Sequence, residues 1–184
     1  MKKRLAIALA LSSVFALSIP VAPAVGAYET QDAKAAAGEA VDMARADMFD
    51  AFGDKTLKPG KYLWRDVPSD AGAERVVISL SDQLAFVYRG DTLVAVSTVS
   101  SGKDDKPTPT GIFPILEKKP MYHSVKYDNA PMPFMQRLDQ YGVALHAGYN
   151  PGTPASHGCV RLPPKFAAKL YTVTEVGTPV FIGA

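Results

Sequence analysis

The chain is short of cysteine, histidine and net charge, and each shortage narrows what it can be. Cys159 is the only cysteine in 184 residues. An intramolecular disulfide is therefore impossible, and the lone thiol is an intermolecular link, a buried inert group or a free reactive one. There are three histidines. His123, His146 and His157, taken with Cys159, offer suitable ligand types without the spacing of a typical zinc site, so no metal is expected. Formal charge is +2. Lys2, Lys3 and Arg4 supply three of the cations, which leaves 17 basic against 18 acidic residues after position 27. No basic patch stands out, and nucleic acid is not an expected partner. Internal repeats and low-complexity tracts are also missing. With 47% hydrophobic and 21% charged residues, the chain has the material for a packed core.

One hydrophobic run exists, and it is short. Leu5 to Leu17 is apolar apart from Ser12 and Ser13, follows the charged Lys2-Lys3-Arg4 and precedes Pro20, Pro23 and the small residues Val25-Gly26-Ala27. That pattern reads as a signal peptide over 1–27, and the run is short for a membrane span. An exported protein, in the periplasm or cell envelope, is expected. An uncleaved anchor is the alternative.

Beyond this leader the pattern changes twice. Ala37, Val41, Ala44, Met48 and Phe52 recur at helical spacing, and Gly53 is a plausible stop. Residues 28–73 are expected to be a helical extension and linker, with a turn at Lys58-Pro59-Gly60. From Arg75 onward the signal is β. Arg75–Leu80, Gln83–Arg89 and Thr92–Val99 read as strands, the last two joined by the hairpin signal Gly90-Asp91. Ile112–Leu116, Gly142–His146 and Pro179–Ile182 read as further strands, and Phe166–Tyr171 as a short helix. Lys118 to about Gln140, with Pro120, Pro131 and Pro133, reads as loop-rich. The expected fold is mainly β, a sandwich or barrel with short helices.

The chemistry concentrates in Leu145-His146-Ala147-Gly148 and Ser156-His157-Gly158-Cys159-Val160-Arg161-Leu162. A thiol becomes a nucleophile when a nearby imidazole lowers its pKa or accepts its proton. Gly158 frees the backbone just before the thiol, so successive N–H groups could converge as an oxyanion hole. These features point to acyl transfer through a thioester.

The Ser-His-Gly-Cys-Val-Arg-Leu run, with His146 thirteen positions before Cys159, resembles the catalytic signature of the L,D-transpeptidase (YkuD-type) family. Ser97–Lys103 and Thr108-Pro109-Thr110-Gly111 are similar to that family's strand and loop before the site, and the resemblance covers about residues 74–182. It implies an L,D-transpeptidase-like β-sandwich as the catalytic domain, 74–184. It further implies Cys159 as nucleophile and His146 as general base, with the Ala147 carbonyl orienting the imidazole. The backbone N–H groups of His157, Gly158 and Cys159 would form the oxyanion hole. The His157 side chain would shape the site, and Arg161 would brace the loop through hydrogen bonds or a salt bridge. Apart from the resemblance, Tyr127, Met132 and Phe134 belong to a long segment that is either a packed loop or a flap over the substrate groove; as a flap, it makes these three the expected substrate contacts. The implied partner is a peptidoglycan stem peptide, with an amine of another stem or of a wall-anchored protein as acceptor, and no cofactor. Hydrolysis on the same scaffold, as an L,D-carboxypeptidase, and a non-catalytic wall-binding module are the other readings. Oligomeric state is not legible.

Overall fold

A computed structural model describes residues 28–53, 55–68 and 74–184. The expected signal peptide, 1–27, lies outside the described residues. Among the described residues there are two sheets and two helices.

Thr30 caps the first helix, α1 (Gln31–Phe52), by accepting the Ala33 N–H at 3.1 Å, and Gly53 ends it at φ 75°. This is the helix the apolar stripe predicts. Then follow the strands β1 (Tyr62–Trp64), β2 (Glu74–Ser79), β3 (Leu84–Arg89), β4 (Thr92–Thr98) and β5 (Gly111–Pro114). The chain continues through β6 (Glu117–His123), β7 (Pro131–Arg137), β8 (Ala144–Ala147) and β9 (Val160–Leu162). It closes with α2 (Pro164–Val173) and β10 (Pro179–Gly183).

The larger sheet has the order β1-β4-β3-β2-β10-β5, with β10 parallel to β2 and antiparallel to β5. Its strands are apolar on both sides because both faces are covered. Val76, Ile78, Ala85, Val87 and Ala95 face the main core, which also holds Leu145, Leu162, Phe166 and Leu170. Val77, Phe86, Tyr88 and Val96 face Ala40, Val41 and Ala44 of α1. The approach of α1 to β10 is so close that a Cβ on Gly183 would lie 2.8 Å from the Ala37 carbonyl oxygen. The segment expected as extension and linker thus covers one face of the sheet and donates β1, which pairs with β4.

The smaller sheet, β6-β7-β8-β9, contains the main departure from the sequence reading. The stretch expected to be loop-rich is an antiparallel hairpin, with Lys118 opposite Gln136 and Tyr122 opposite Met132. Its prolines are tolerated for a physical reason. β6 is an edge strand, and β8 pairs only with Gln136 and Arg137 of β7, so Pro131 and Pro133 lie where no second ladder needs their N–H.

Candidate active site

The parallel pair β8–β9 sets the site. Its register is Leu145↔Val160, His146↔Arg161 and Ala147↔Leu162. Leu145, Ala147, Val160 and Leu162 point into the main core. Paired residues project to the same face, so His146 and Arg161 share the other face. That face opens on a cavity of about 850 Å³, lined among others by His146, His157, Cys159 and Arg161. Cys159, immediately before β9, is half-buried and packs against Met132, Met135 and Ala144.

The His146 imidazole is buried at 7% exposure. Its Nδ1 lies 2.8 Å from the Ala147 carbonyl oxygen. A carbonyl can only accept, so Nδ1 carries the proton and the Nε2 lone pair is left free. Burial holds the imidazole below its ordinary pKa, opposed by the Ala147 hydrogen bond and reinforced by the Arg161 charge. Burial also pushes the Cys159 thiol up, opposed by a hydrogen bond from the Ala144 backbone; the Asp139 charge adds to the rise and the Arg161 charge opposes it. Both groups therefore rest in their neutral forms near neutral pH. The thiol's hydrogen bond goes to the Gly142 carbonyl, 3.6 Å away, rather than to the imidazole.

The loop before Cys159 and the turn at Gly142 are held by three side chains that sequence reasoning left without roles. Ser156 Oγ accepts the Gly158 N–H at 3.1 Å and donates to the Cys159 carbonyl. Thr108 Oγ1 accepts the Gly102 N–H at 2.8 Å and donates to the Gly158 carbonyl at 2.9 Å. Thr108 thereby ties the Thr-Pro-Thr-Gly loop to the Cys159 loop. Asp139 accepts the N–H groups of Tyr141, Gly142 and Val143 at 2.8–2.9 Å and shapes the turn that carries the Gly142 carbonyl. The signal for Asp139 was present in the sequence, since an aspartate opening Asp-Gln-Tyr-Gly is ordinary turn chemistry. Two glycines are required here. Gly158 adopts φ 114°, and a Cβ on Gly102 would lie 2.1 Å from the Lys106 carbonyl oxygen.

Three expectations change. The Gly158 N–H is taken by Ser156, so His157 and Cys159 remain the candidate oxyanion donors. Arg161 is tied to the segment after β4 through its backbone, which exchanges both hydrogen bonds with Ser100; the ion pairs among the described residues do not include its side chain, and the residue lines the cavity. Phe134 is not at the cavity. The backbone at Phe134 is left-handed, φ 55°, which breaks the two-residue alternation of β7. Met132 and Met135 consequently fall in one cluster beside Cys159, while Phe134 packs against Tyr171 with ring centroids 5.9 Å apart. Met132 and Tyr127 do line the cavity. Tyr127, in the β6–β7 connection, stacks on His157 at 4.5 Å and so links the hairpin tip to the Cys159 loop. His123 is exposed at the end of β6, outside the cavity lining.

Comparison with known proteins gives the family and the fold. Residues 73–182 match the L,D-transpeptidase catalytic domain (YkuD), and the chain belongs to that family. Among solved structures it is similar to L,D-transpeptidase 1 of Mycobacterium tuberculosis, at 25% identity and TM-score 0.54 over 61% of this chain and 62% of that one. An L,D-transpeptidase from Xylanimonas cellulosilytica is similar at 25% identity and TM-score 0.56, over 65% and 64%. An L,D-transpeptidase solved in complex with imipenem is similar at 25% identity and TM-score 0.56, over 60% and 58%. The chain thus spans about three fifths of the length of these relatives. No curated protein sequence matches it.

Proposed function

We propose that the protein is an exported, cysteine-dependent L,D-transpeptidase acting on peptidoglycan stem peptides in the periplasm or cell envelope. What carries this reading is one arrangement: a half-buried thiol and an imidazole with a fixed tautomer and a free Nε2 line the same cavity. In the first half-reaction the Cys159 side chain rotates from the Gly142 carbonyl toward His146. Its sulfur attacks the carbonyl at the L-centre of diaminopimelate, or an equivalent diamino acid, in a tetrapeptide stem, while Nε2 takes the thiol proton. The N–H groups of His157 and Cys159 stabilise the oxyanion. The tetrahedral intermediate collapses, the C–N bond breaks, and the imidazolium returns its proton to the departing D-Ala nitrogen. A thioester remains. In the second half, an amine of another stem or of a wall-anchored protein attacks the thioester and loses a proton to His146; the C–S bond breaks, and the Cys159 sulfur takes that proton back from the imidazolium.

The test is incubation with purified disaccharide-tetrapeptide and mass analysis of the products. Cross-linked dimers are expected from wild type and none from Cys159→Ser. Tripeptide without dimer would replace transfer by hydrolysis, and near-normal turnover by the serine variant would remove the nucleophile assignment. The imipenem complex of a similar protein supports a second probe. A carbapenem offers a strained amide to the same nucleophile, and ring opening leaves the acyl group tethered. Intact mass should show one carbapenem added per chain, and none on Cys159→Ser.

A further inference from the structure

Arg161 is the one cation of the cavity wall that stands away from the solvent rim. Lys106 and Lys126 also line the cavity, but both are exposed, whereas Arg161 is half-buried. Asp128, at the exposed hairpin tip, is the acidic residue of the wall. The Arg161 side chain is held in place without being neutralised. Its Cγ and Cδ lie 3.3 Å from where a Cβ on Gly148 would stand, so the absence of a side chain at 148 makes room for its stem. Yet no ion pair or side-chain hydrogen bond among the described residues occupies its guanidinium. Its nitrogens are not among the buried polar atoms left without a partner, so they remain open to a ligand, and five N–H donors in a rigid fork suit a planar carboxylate.

The register states where that carboxylate would be. His146 and Arg161 are paired neighbours on the face that opens on the cavity. In the proposed reaction His146 returns its proton to the leaving nitrogen. In an α-amino acid, only the α-carbon separates that nitrogen from the carboxylate. A guanidinium beside His146 therefore stands beside the carboxylate of the residue being released. Resting on the transpeptidase reading, we propose that Arg161 binds the C-terminal carboxylate of the donor peptide. A longer peptide would carry an uncharged amide at that position and leave the guanidinium without its anion. The net positive wall is complementary to a donor peptide rich in carboxylates.

Equilibrium binding to a protein that cannot turn over tests this. Cys159→Ser, Cys159→Ser/Arg161→Gln and Cys159→Ser/Arg161→Lys are titrated by calorimetry with a free tetrapeptide, L-Ala-γ-D-Glu-diaminopimelate-D-Ala. The same peptide ending in D-alanine amide is titrated in parallel. The two ligands differ only at the terminal carboxylate. Cys159→Ser should bind the acid about 10- to 100-fold tighter than the amide, the range for a hydrogen-bonded charge. Arg161→Gln should bring the acid down to the affinity of the amide while leaving the amide unchanged, and Arg161→Lys should restore part of the preference. Melting curves establish that each variant is folded. Equal binding of acid and amide by Cys159→Ser overturns the assignment. So does a preference that survives Arg161→Gln, or a loss that is equal for both ligands. If folded Cys159→Ser binds neither peptide, the stem-peptide reading itself fails, and this assignment with it.

Discussion

Thr108→Val isolates what the Thr-Pro-Thr-Gly loop contributes. Valine keeps the β-branched shape, so little volume changes, but it removes a hydroxyl that accepts from Gly102 and donates to Gly158. Both backbone groups then lose their partners. A buried polar group left unsatisfied costs about 1–3 kcal/mol. Gly158 is buried and bears that cost, while half-buried Gly102 can recruit water, so the sum is about 2–4 kcal/mol. At about 2–4 °C per kcal/mol for a chain of this size, Tm should fall by roughly 5–15 °C. The same substitution loosens the backbone just before Cys159. Misplacement of a reacting group by about 1 Å can cost about 100-fold in rate, so acylation by a tetrapeptide or a carbapenem should slow by up to that factor. Thr110→Val is the control. Thr110 is half-buried in the same motif and makes neither bond, so its variant should melt and react nearly as wild type does. Differential scanning calorimetry and stopped-flow acylation read the two effects. Equal melting temperatures and equal rates for the two variants would refute the tie between the loops.

The remaining expectations probe the helix, the hairpin and the ionisable pair. Gly183→Ala should destabilise by about 1–3 kcal/mol, because its Cβ meets the Ala37 carbonyl. Gly38→Ala, with open space around its Cβ, should stabilise by about 0.5–1 kcal/mol in urea unfolding. Tyr127→Ala removes the stack on His157 and should lower kcat/KM for donor peptide by about 2- to 10-fold, mainly through KM. The His146 imidazole is lowered from 6.5 in the fold, so below that pH the unfolded chain takes up the proton first. Its contribution to stability is therefore present above pH 6.5 and is lost as pH falls, and His146→Gln should flatten that loss in melts between pH 5 and 7. The thiol is raised from 9.0, so iodoacetamide should modify Cys159 more slowly at neutral pH than it modifies a small free thiol.

What the sequence disclosed depended on how locally each feature is encoded. β2, β3 and β4 could be read because apolar runs and Gly90-Asp91 mark them within a few residues. β1 and β9 span three residues each. No periodicity can be read in three residues, and these strands exist because β4 and β8 offer them ladders. The β6–β7 hairpin was concealed by its prolines, which are compatible with a strand only when the neighbouring ladder is absent, and that is a property of the assembled sheet. The stripe of α1 predicted a helix, but its partner was legible only in the doubled apolarity of β3, where Phe86 and Tyr88 meet α1 and Ala85 and Val87 meet the main core.

The site divides along the same line. Cys159, His146 and their Gly and Ala neighbours sit in two contiguous motifs, so residue types and spacing sufficed to propose them, and both residues line one cavity. Thr108 lies 50 positions from the carbonyl it holds, and no local pattern carries that. The state of the pair is less local still. An imidazole near a thiol can produce a thiolate–imidazolium pair or a neutral pair, and the residue types are identical in both. Burial decides between them, because it disfavours whichever form is charged. Here it moves the thiol up and the imidazole down, and both shifts oppose separation of charge before a substrate arrives. In the proposed reaction the proton then moves as the sulfur attacks, at the moment when charge develops on the substrate oxygen. In such a site the base and the oxyanion donors act in the same step. The loop that carries the proposed donors, His157 and Cys159, is fastened by Ser156 and Thr108, as the imidazole is fastened by the Ala147 carbonyl.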